Sequence, residues 1–256
     1  ENNLKKNKLF KKVLIKDNYF YEKILKEKKF DLIINCDGNN QISRNFFYNR
    51  INKSYNSYAY TAIIKHKKLF DNDIASQIFT KEGPMAFLPV SSTETSIVYS
   101  VEGKKKINLK EMINKYNSRY EISKVNEIFN FELNSLQLRT YYHNNILAFG
   151  DLLHKLHPLA GQGFNMSIRD IKEISKLIKY RLDLGLDLDR SICSDFEKNS
   201  KHKNYLFTNG IDFIHEFFNF ENKIKNNVFS KSVKFLGKNK ITNNIFRDIA
   251  DKGIII

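Results

Sequence analysis

The run Ile146-Leu147-Ala148-Phe149 is wholly apolar, and it stops abruptly at Gly150-Asp151. Further on, Gly161-Gln162-Gly163 opens a segment in which Phe164, Ile168, Ile171, Ile174, Leu177 and Ile178 recur with the 3.6-residue period of an amphipathic helix. An all-β or all-α chain has no use for this order. It specifies a short buried strand, an acidic turn, a glycine loop and a helix start. In open α/β sheets, ligands bind at corners of this kind, outside the carboxyl ends of the strands.

A second segment has the same form. Phe30 to Cys36 is a nearly continuous apolar run ending at Asp37-Gly38, as expected of a strand buried on both faces. Lys12 to Ile15 also reads as a strand, and Tyr19 to Glu27 is ambiguous. The texture then changes. Ser57–Ile64, Ala75–Thr80, Met85–Val90 and Ser96–Val101 are short runs rich in β-branched and aromatic residues, divided by turn-prone stretches, which predicts an antiparallel meander. Leu109 to Tyr120 carries a helical pattern, and Ile128 to Leu138 reads as another strand. After the helix expected over Gln162–Tyr180, helical patterns cover Ile192–Phe207, Ile211–Phe220, Lys223–Leu236 and Ile241–Ile249. A chain that leaves an α/β layer, builds a sheet and returns has an inserted domain. The expected division is an α/β layer over 1–50 and 140–185, an antiparallel domain over 51–139 and a helical region over 186–256.

Composition sets outer bounds. A chain of 256 residues buries a sizeable core, and it contains no apolar run near the ~20 residues that cross a bilayer. Cys36 and Cys193 form neither a disulfide framework nor a metal spacing, so both thiols are expected free in a reducing cytoplasm. The net charge of +15 admits three readings: nucleic acid, anionic lipid, or an overall excess of Lys, Asn and Ile. The lysines are spread rather than clustered and no nucleic-acid signature is present, so nucleic acid is set aside as a partner. His154 and His157 stand at i, i+3 without a third ligand nearby. They are read as shaping the turn before Pro158, and no metal is expected.

The chemistry of the two acidic turns can be read from residue types. Asp151, at a strand's carboxyl end, is placed to accept hydrogen bonds from sugar-alcohol hydroxyls. Gly161 and Gly163 allow a flat or anionic group to approach the backbone. The helix starting near Gln162 turns N–H groups and a positive dipole end the same way. Taken alone, Asp37-Gly38 is a common turn pair, and Arg44 offers a planar donor for a phosphate or an acidic side chain. Cys36 is read as packing, since no base accompanies it.

The string Gly150, Asp151, His154, His157, Pro158, Gly161, Gln162, Gly163 and Asn165 resembles the second flavin-binding motif of the FAD-dependent aromatic hydroxylases of ubiquinone biosynthesis (UbiH/UbiF/VisC), with Arg169-Asp170 similar to its continuation. Leu152 and Leu153 stand where that family has small residues. Asp37, Gly38 and Arg44 resemble a second fingerprint of the family, with Gln41 in the place of its usual Ser and Ser43 displaced by two positions. Tyr58–Ile64 is similar to its first substrate-domain strand. Phe79–Pro89, with Gly83-Pro84, is similar to its Phe-x-x-x-Gly-Pro-x-Ala-x-Leu-Pro segment.

The resemblance implies an α/β (α+β) fold like that of p-hydroxybenzoate hydroxylase: a partial FAD-binding doubly wound layer, an inserted antiparallel β-sheet substrate domain and a helical C-terminal tail. It implies a monooxygenase that consumes NAD(P)H and O2 and places one oxygen atom on the ring of a polyprenyl-phenol precursor of ubiquinone. Asp151 would bind the ribityl chain of FAD. Gly161 to Asn165 would lie against its ring, and the sheet would wall the substrate cavity. Asp37, Gly38, Arg44, Gly150, Asp151, Pro158, Gly161, Gln162, Gly163 and Asn165 are the expected cofactor-binding residues, with no acid–base catalytic residue assigned. The partners implied are the prenylated phenol or quinone precursor, sister biosynthetic enzymes and an anionic membrane surface. The basic tail with Lys223, Lys225, Lys231, Lys234, Lys238 and Lys240 is a candidate for peripheral contact with the inner membrane. The family's opening Gly-x-Gly-x-x-Gly unit has no counterpart, Gly38 being the first glycine. A truncated enzyme, the C-terminal half of a split flavoprotein and a non-catalytic remnant binding membranes or partners therefore all remain open.

Overall fold

The computed structural model describes residues 2–15, 19–27, 29–103, 107–156 and 162–224. In chain order the elements are α1 (Asn2–Lys5), α2 (Tyr19–Glu27), β1 (Ile33–Asn35), α3 (Gln41–Phe46), β2 (Arg50–His66), β3 (Ser76–Phe79), β4 (Pro84–Pro89), β5 (Glu94–Glu102), α4 (Leu109–Tyr116), β6 (Ile122–Val125), β7 (Phe129–Leu138), β8 (Tyr142–His143), β9 (Ile146–Ala148), a 3-10 turn (Gly150–Leu152), β10 (His154–Lys155), α5 (Gln162–Asp183) and α6 (Arg190–Ile224). They form two compact units. The first comprises 1–50, 138–153 and 170–201, and the second 51–137, 154–169 and 202–256.

In the first unit, three strands lie in the order β1-β9-β8. β1 and β9 are parallel, with Ile33 beside Ile146, Ile34 beside Leu147 and Asn35 beside Ala148. β9 is buried throughout, as its composition requires, and Phe149 packs against Phe196 of α6 at 5.7 Å between ring centroids. Leu152, Leu153, Ile192 and Phe196 complete this core. The Tyr141 N–H donates to Glu197 Oε2 at 2.8 Å, and Arg181 donates to Asp195 Oδ2 at 2.6 Å, tying α5 to α6.

Two expectations fail here. β1 is shorter than the apolar run and is not buried on both faces: it has one strand neighbour among the described residues, and Ile34 is 43% exposed. Lys12 to Ile15 is exposed and forms no strand, because no ladder takes up its backbone groups. The ambiguous segment Tyr19–Glu27 is helix α2.

The second unit holds a seven-stranded sheet in the order β10-β7-β2-β5-β4-β3, with β6 also paired to β2. The expected meander holds for β3-β4-β5. β2, however, sits beside β5 rather than β3, and runs unbroken for 17 residues. Alternation turns Tyr60, Ala62, Ile64, Met85, Phe87, Ile97, Tyr99 and Val101 to one face, where Leu109 and Ile113 of α4 and Tyr120 close over them. Each fully buried side chain of this kind contributes about 1.5–3 kcal/mol. Buried His66 is held by the Lys67 carbonyl (2.9 Å) and by Thr95 Oγ1 (3.0 Å).

The helices expected over Ile192–Phe207 and Ile211–Phe220 are one 35-residue helix, α6, which passes through Gly210 without a break. Side chains beyond Gly210 explain the continuity. The Tyr55 hydroxyl donates to Asp212, and Lys53 pairs with Asp212 at 3.6 Å and Glu216 at 2.6 Å. Burial opposes the Lys53 charge, but the hydrogen bond and charge of Glu216, together with Asp212, outweigh it and raise its pKa. The expected helix over Ile241–Ile249, and that over Lys223–Leu236 beyond Ile224, lie outside the described residues. Among the described residues no helix is long and apolar enough to cross a membrane.

Gly83 and Gly103 both have positive φ, but only Gly83 is enclosed: a Cβ there would sit 2.2 Å from the Ser100 carbonyl oxygen, while one at Gly103 meets nothing within 4 Å. Gly83→Ala should therefore lower stability by about 3 kcal/mol or more, and Gly103→Ala by about 1 kcal/mol. Urea unfolding of both variants measures the difference; equal losses would mean that the β3–β4 turn relaxes freely.

Candidate functional site

The parallel register of β1 and β9 sets two acidic glycine turns side by side. The chain leaves β1 through Cys36-Asp37-Gly38 and β9 through Phe149-Gly150-Asp151, at the same ends of adjacent strands. The Phe149 N–H donates to the Asn35 carbonyl at 2.9 Å, carrying the pairing past the ends of both strands.

A buried polar network shapes the first turn. Asn40 Nδ2 donates to Asn35 Oδ1 (2.6 Å), and Asn35 Nδ2 donates to Ser43 Oγ (2.8 Å). The Ser43 hydroxyl donates to the Asp37 carbonyl, and Asn40 Oδ1 caps α3 by accepting from the Ser43 N–H at 2.9 Å. Asp37 Oδ1 accepts from the Asn39 N–H at 2.8 Å, so the carboxylate also organises its own turn. Arg44 donates through Nε (3.0 Å) and Nη2 (2.8 Å) to the Asn39 carbonyl. Its partner here is thus neither a phosphate nor an acidic side chain.

The second turn rests on Gly150, at φ +62°. Cβ atoms built at Gly150 and at Gly38 meet nothing within 4 Å, so the space beside both turns is open. Asp151 is exposed, and no side-chain hydrogen bond or ion pair holds its carboxylate among the described residues. Leu152 and Leu153, which replace small residues of the resembled motif, are buried in the core and leave this space clear. Cys36 is exposed as a residue, yet the atoms packed around its sulfur desolvate the thiolate and raise its pKa, as in an inert thiol.

The structure therefore brings together Asp37, Gly38 and Arg44 with Gly150 and Asp151. Gln162 and Gly163 begin α5, with Asn165 exposed in its first turn, in the second unit. Pro158 and Gly161 lie outside the described residues, as do His157 and the basic stretch from Lys225 onward. His154 is buried in β10, and Arg169 lies over the Phe207 ring at 4.2 Å. Phe164, expected on the buried face of α5, is exposed, while Met166 is buried in its place. Among the described residues no three His, Cys, Asp or Glu side chains are grouped as metal ligands. Asn35 and Asn40 carry no sequence signal that marks them as parts of this site, and Ser43 enters the resemblance only as a displaced member of the fingerprint. An Asn followed three residues later by Ser at a helix start signals only the cap.

The profile described as "FAD binding domain" matches residues 29–182. The chain is 23% identical to the mitochondrial ubiquinone biosynthesis monooxygenase COQ6 of Schizosaccharomyces pombe, over 87% of this chain and 57% of that protein. It is 24% identical to its Xenopus tropicalis counterpart, over 73% and 50% respectively. The chain thus spans about half the length of the curated relatives it matches. Among solved structures, OxyS anhydrotetracycline hydroxylase from Streptomyces rimosus superposes with a TM-score of 0.61 at 13% identity, covering 86% of this chain and 46% of that one. CabE, an aromatic hydroxylase from angucycline biosynthesis, gives 0.61 at 14% identity over the same shares. At these identities the structures establish the fold: a mixed α/β layer with an inserted antiparallel sheet.

Asn40→Ala should remove the α3 cap and strand the buried Asn35 amide, lowering stability by about 2–4 kcal/mol in urea. Arg44→Ala, at an exposed position, should cost under about 1 kcal/mol. A loss for Asn40→Ala no larger than that for Arg44→Ala would show that the network does not hold the turn.

Proposed function

The chain belongs to the FAD binding domain family, and from that premise we propose that it is part of an FAD-dependent monooxygenase that hydroxylates the aromatic ring of a polyprenyl-phenol precursor of ubiquinone, using NAD(P)H and O2. One observation carries the reading. The parallel pair β1–β9 places Asp37-Gly38 beside Gly150-Asp151, with open space next to both glycines. These residues fit a flavin dinucleotide. A carboxylate with no side-chain partner among the described residues suits the hydroxyls of a ribityl chain, and a glycine without Cβ allows close approach.

When bound, the flavin would supply the redox chemistry, accepting hydride and activating O2 for insertion into the ring. The protein's part is to bind and orient. Asp151 would accept from ribityl hydroxyls, and the Asn35–Asn40–Ser43 network would hold the Asp37 turn in register. No side chain is assigned as acid or base. The similarity to ubiquinone biosynthesis monooxygenases supports the substrate class. A prenylated ring dissolves in lipid, so the reading carries with it an anionic membrane surface and sister enzymes as partners.

The test is FAD content. The polypeptide, alone and co-expressed with a half carrying a Gly-x-Gly-x-x-Gly unit, should release FAD on denaturation in at least the second case, and should oxidise NAD(P)H when a prenylated phenol is added. Asp151→Ala should weaken FAD binding at least tenfold, about 1.4 kcal/mol, with an unchanged melting curve. A colourless protein in both settings would overturn the reading.

A further inference from the structure

The turn between α5 and α6 holds three leucines in water. Leu182 is 61% exposed, Leu184 56% and Leu186 48%. Backbone hydrogen bonds fix the turn that carries them. The Leu184 N–H donates to the Tyr180 carbonyl (3.2 Å), the Gly185 N–H to the Leu182 carbonyl (3.1 Å) and the Leu186 N–H to the Arg181 carbonyl (2.8 Å). Beneath it the Arg181 side chain, only 13% exposed, donates to the Asp187 carbonyl (3.1 Å) and to Asp195 Oδ2 (2.6 Å). The charge of this tip is opposite to that of the chain. The net charge of the chain is +15, yet positions 182–189 hold Asp183, Asp187 and Asp189 and neither Lys nor Arg. Asp189 accepts from the Ser191 N–H at 2.9 Å and lies 3.8 Å from Arg181. Asp183 and Asp187 are exposed, and no side-chain hydrogen bond or ion pair holds either carboxylate among the described residues. Asp183 is also the last residue of α5, so the negative end of the helix dipole adds to its charge.

We propose that this tip docks on a basic helix with an apolar stripe, presented by a partner protein. Neither the flavin nor the hydroxylated ring enters into it. Charge complementarity selects the occupant. The free carboxylates repel the phosphates of nucleic acid and the headgroups of an anionic membrane. In a two-fold contact between copies of this chain, each tip would face an identical one, carboxylates against carboxylates. A small molecule is bound in a concave site, and a protruding turn offers none. A basic amphipathic helix supplies both missing parts, an apolar stripe for the leucines and lysines along its border for Asp183 and Asp187. Because hydrogen bonds already fix the turn, docking orders little backbone, which lowers the entropic cost of a small contact. Three leucines make a surface of the weak, transient class rather than an obligate one.

Fluorescence anisotropy tests this on the full chain. The probe is a labelled leucine–lysine peptide of about five helical turns, its leucines at i, i+3, i+4 and i+7. The control keeps the lysines and replaces every leucine with glutamine. The leucine–lysine peptide should bind at least about tenfold more tightly than the control. Leu184→Ser with Leu186→Ser should remove that advantage. Asp183→Asn with Asp187→Asn should weaken binding about threefold or more and flatten its dependence on salt. Both pairs replace exposed side chains, so melting curves and FAD content should match those of the parent. Equal affinity for the two peptides, or binding that both folded variants leave unchanged, would overturn the proposal. So would self-association in sedimentation, or binding to phosphatidylserine-containing vesicles, that the leucine pair abolishes: the first assigns the tip to a second copy and the second to lipid.

Discussion

Everything at the candidate site depends on three residue pairs that join positions 33–35 to 146–148 in parallel. Closing a loop of this length costs roughly 4 kcal/mol of chain entropy beyond a constant. The burial of Leu147, Ala148 and Phe149, with Phe196 against them, offsets that cost. Direction matters as much as pairing. An antiparallel register would send the chain out of β1 and β9 at opposite ends and separate the two acidic turns. A parallel register brings Asp37 and Asp151 out at the same end, and it demands a crossover between the strands. Here the crossover is not a lone helix but an excursion through a whole antiparallel sheet.

Strongly local features of this arrangement were legible in the sequence. β9 is visible as a short, wholly apolar run buried throughout, and β7, α4 and α5 because their apolar spacing is set by one buried face. The β2–β5 neighbour relation was not, because β2 pairs across the entire β3–β4 hairpin, and that choice is made by packing under α4 rather than by turn residues. α6 reads as two helices in the sequence because Asn209-Gly210 is a breaking signal by propensity. Contacts made further along, at Asp212 and Glu216 with Tyr55 and Lys53, override it.

The candidate site divides the same way. Asp37-Gly38 and Gly150-Asp151 carry turn chemistry on their surface and could be read directly. The residues that hold the first turn could not. Asn35 reads as the polar end of a strand, Asn40 as one more turn residue and Ser43 as a misplaced member of a motif. Their roles exist only because each is buried within hydrogen-bonding reach of the others. A network of buried amides leaves no period in the sequence, since it is defined by satisfaction of donors and acceptors in space. Ile34 marks the converse case: its apolar character predicts burial, yet it stands on a face of β1 that leaves it 43% exposed.

The composition of the two turns also constrains what they can do. Asp37 spends an oxygen on the Asn39 N–H, and Arg44 spends two donors on the Asn39 carbonyl, so both are occupied in keeping the turn rigid. The thiol at their border, Cys36, is pushed away from reactivity, and buried Cys193 further still, to about 12. Sites built for acid–base or nucleophilic work place groups whose protonation is poised near neutral pH within reach of one another. This corner instead presents a carboxylate with no side-chain partner among the described residues, a glycine in the left-handed region and open space beside both turns. Such an arrangement is suited to holding and orienting a bound group.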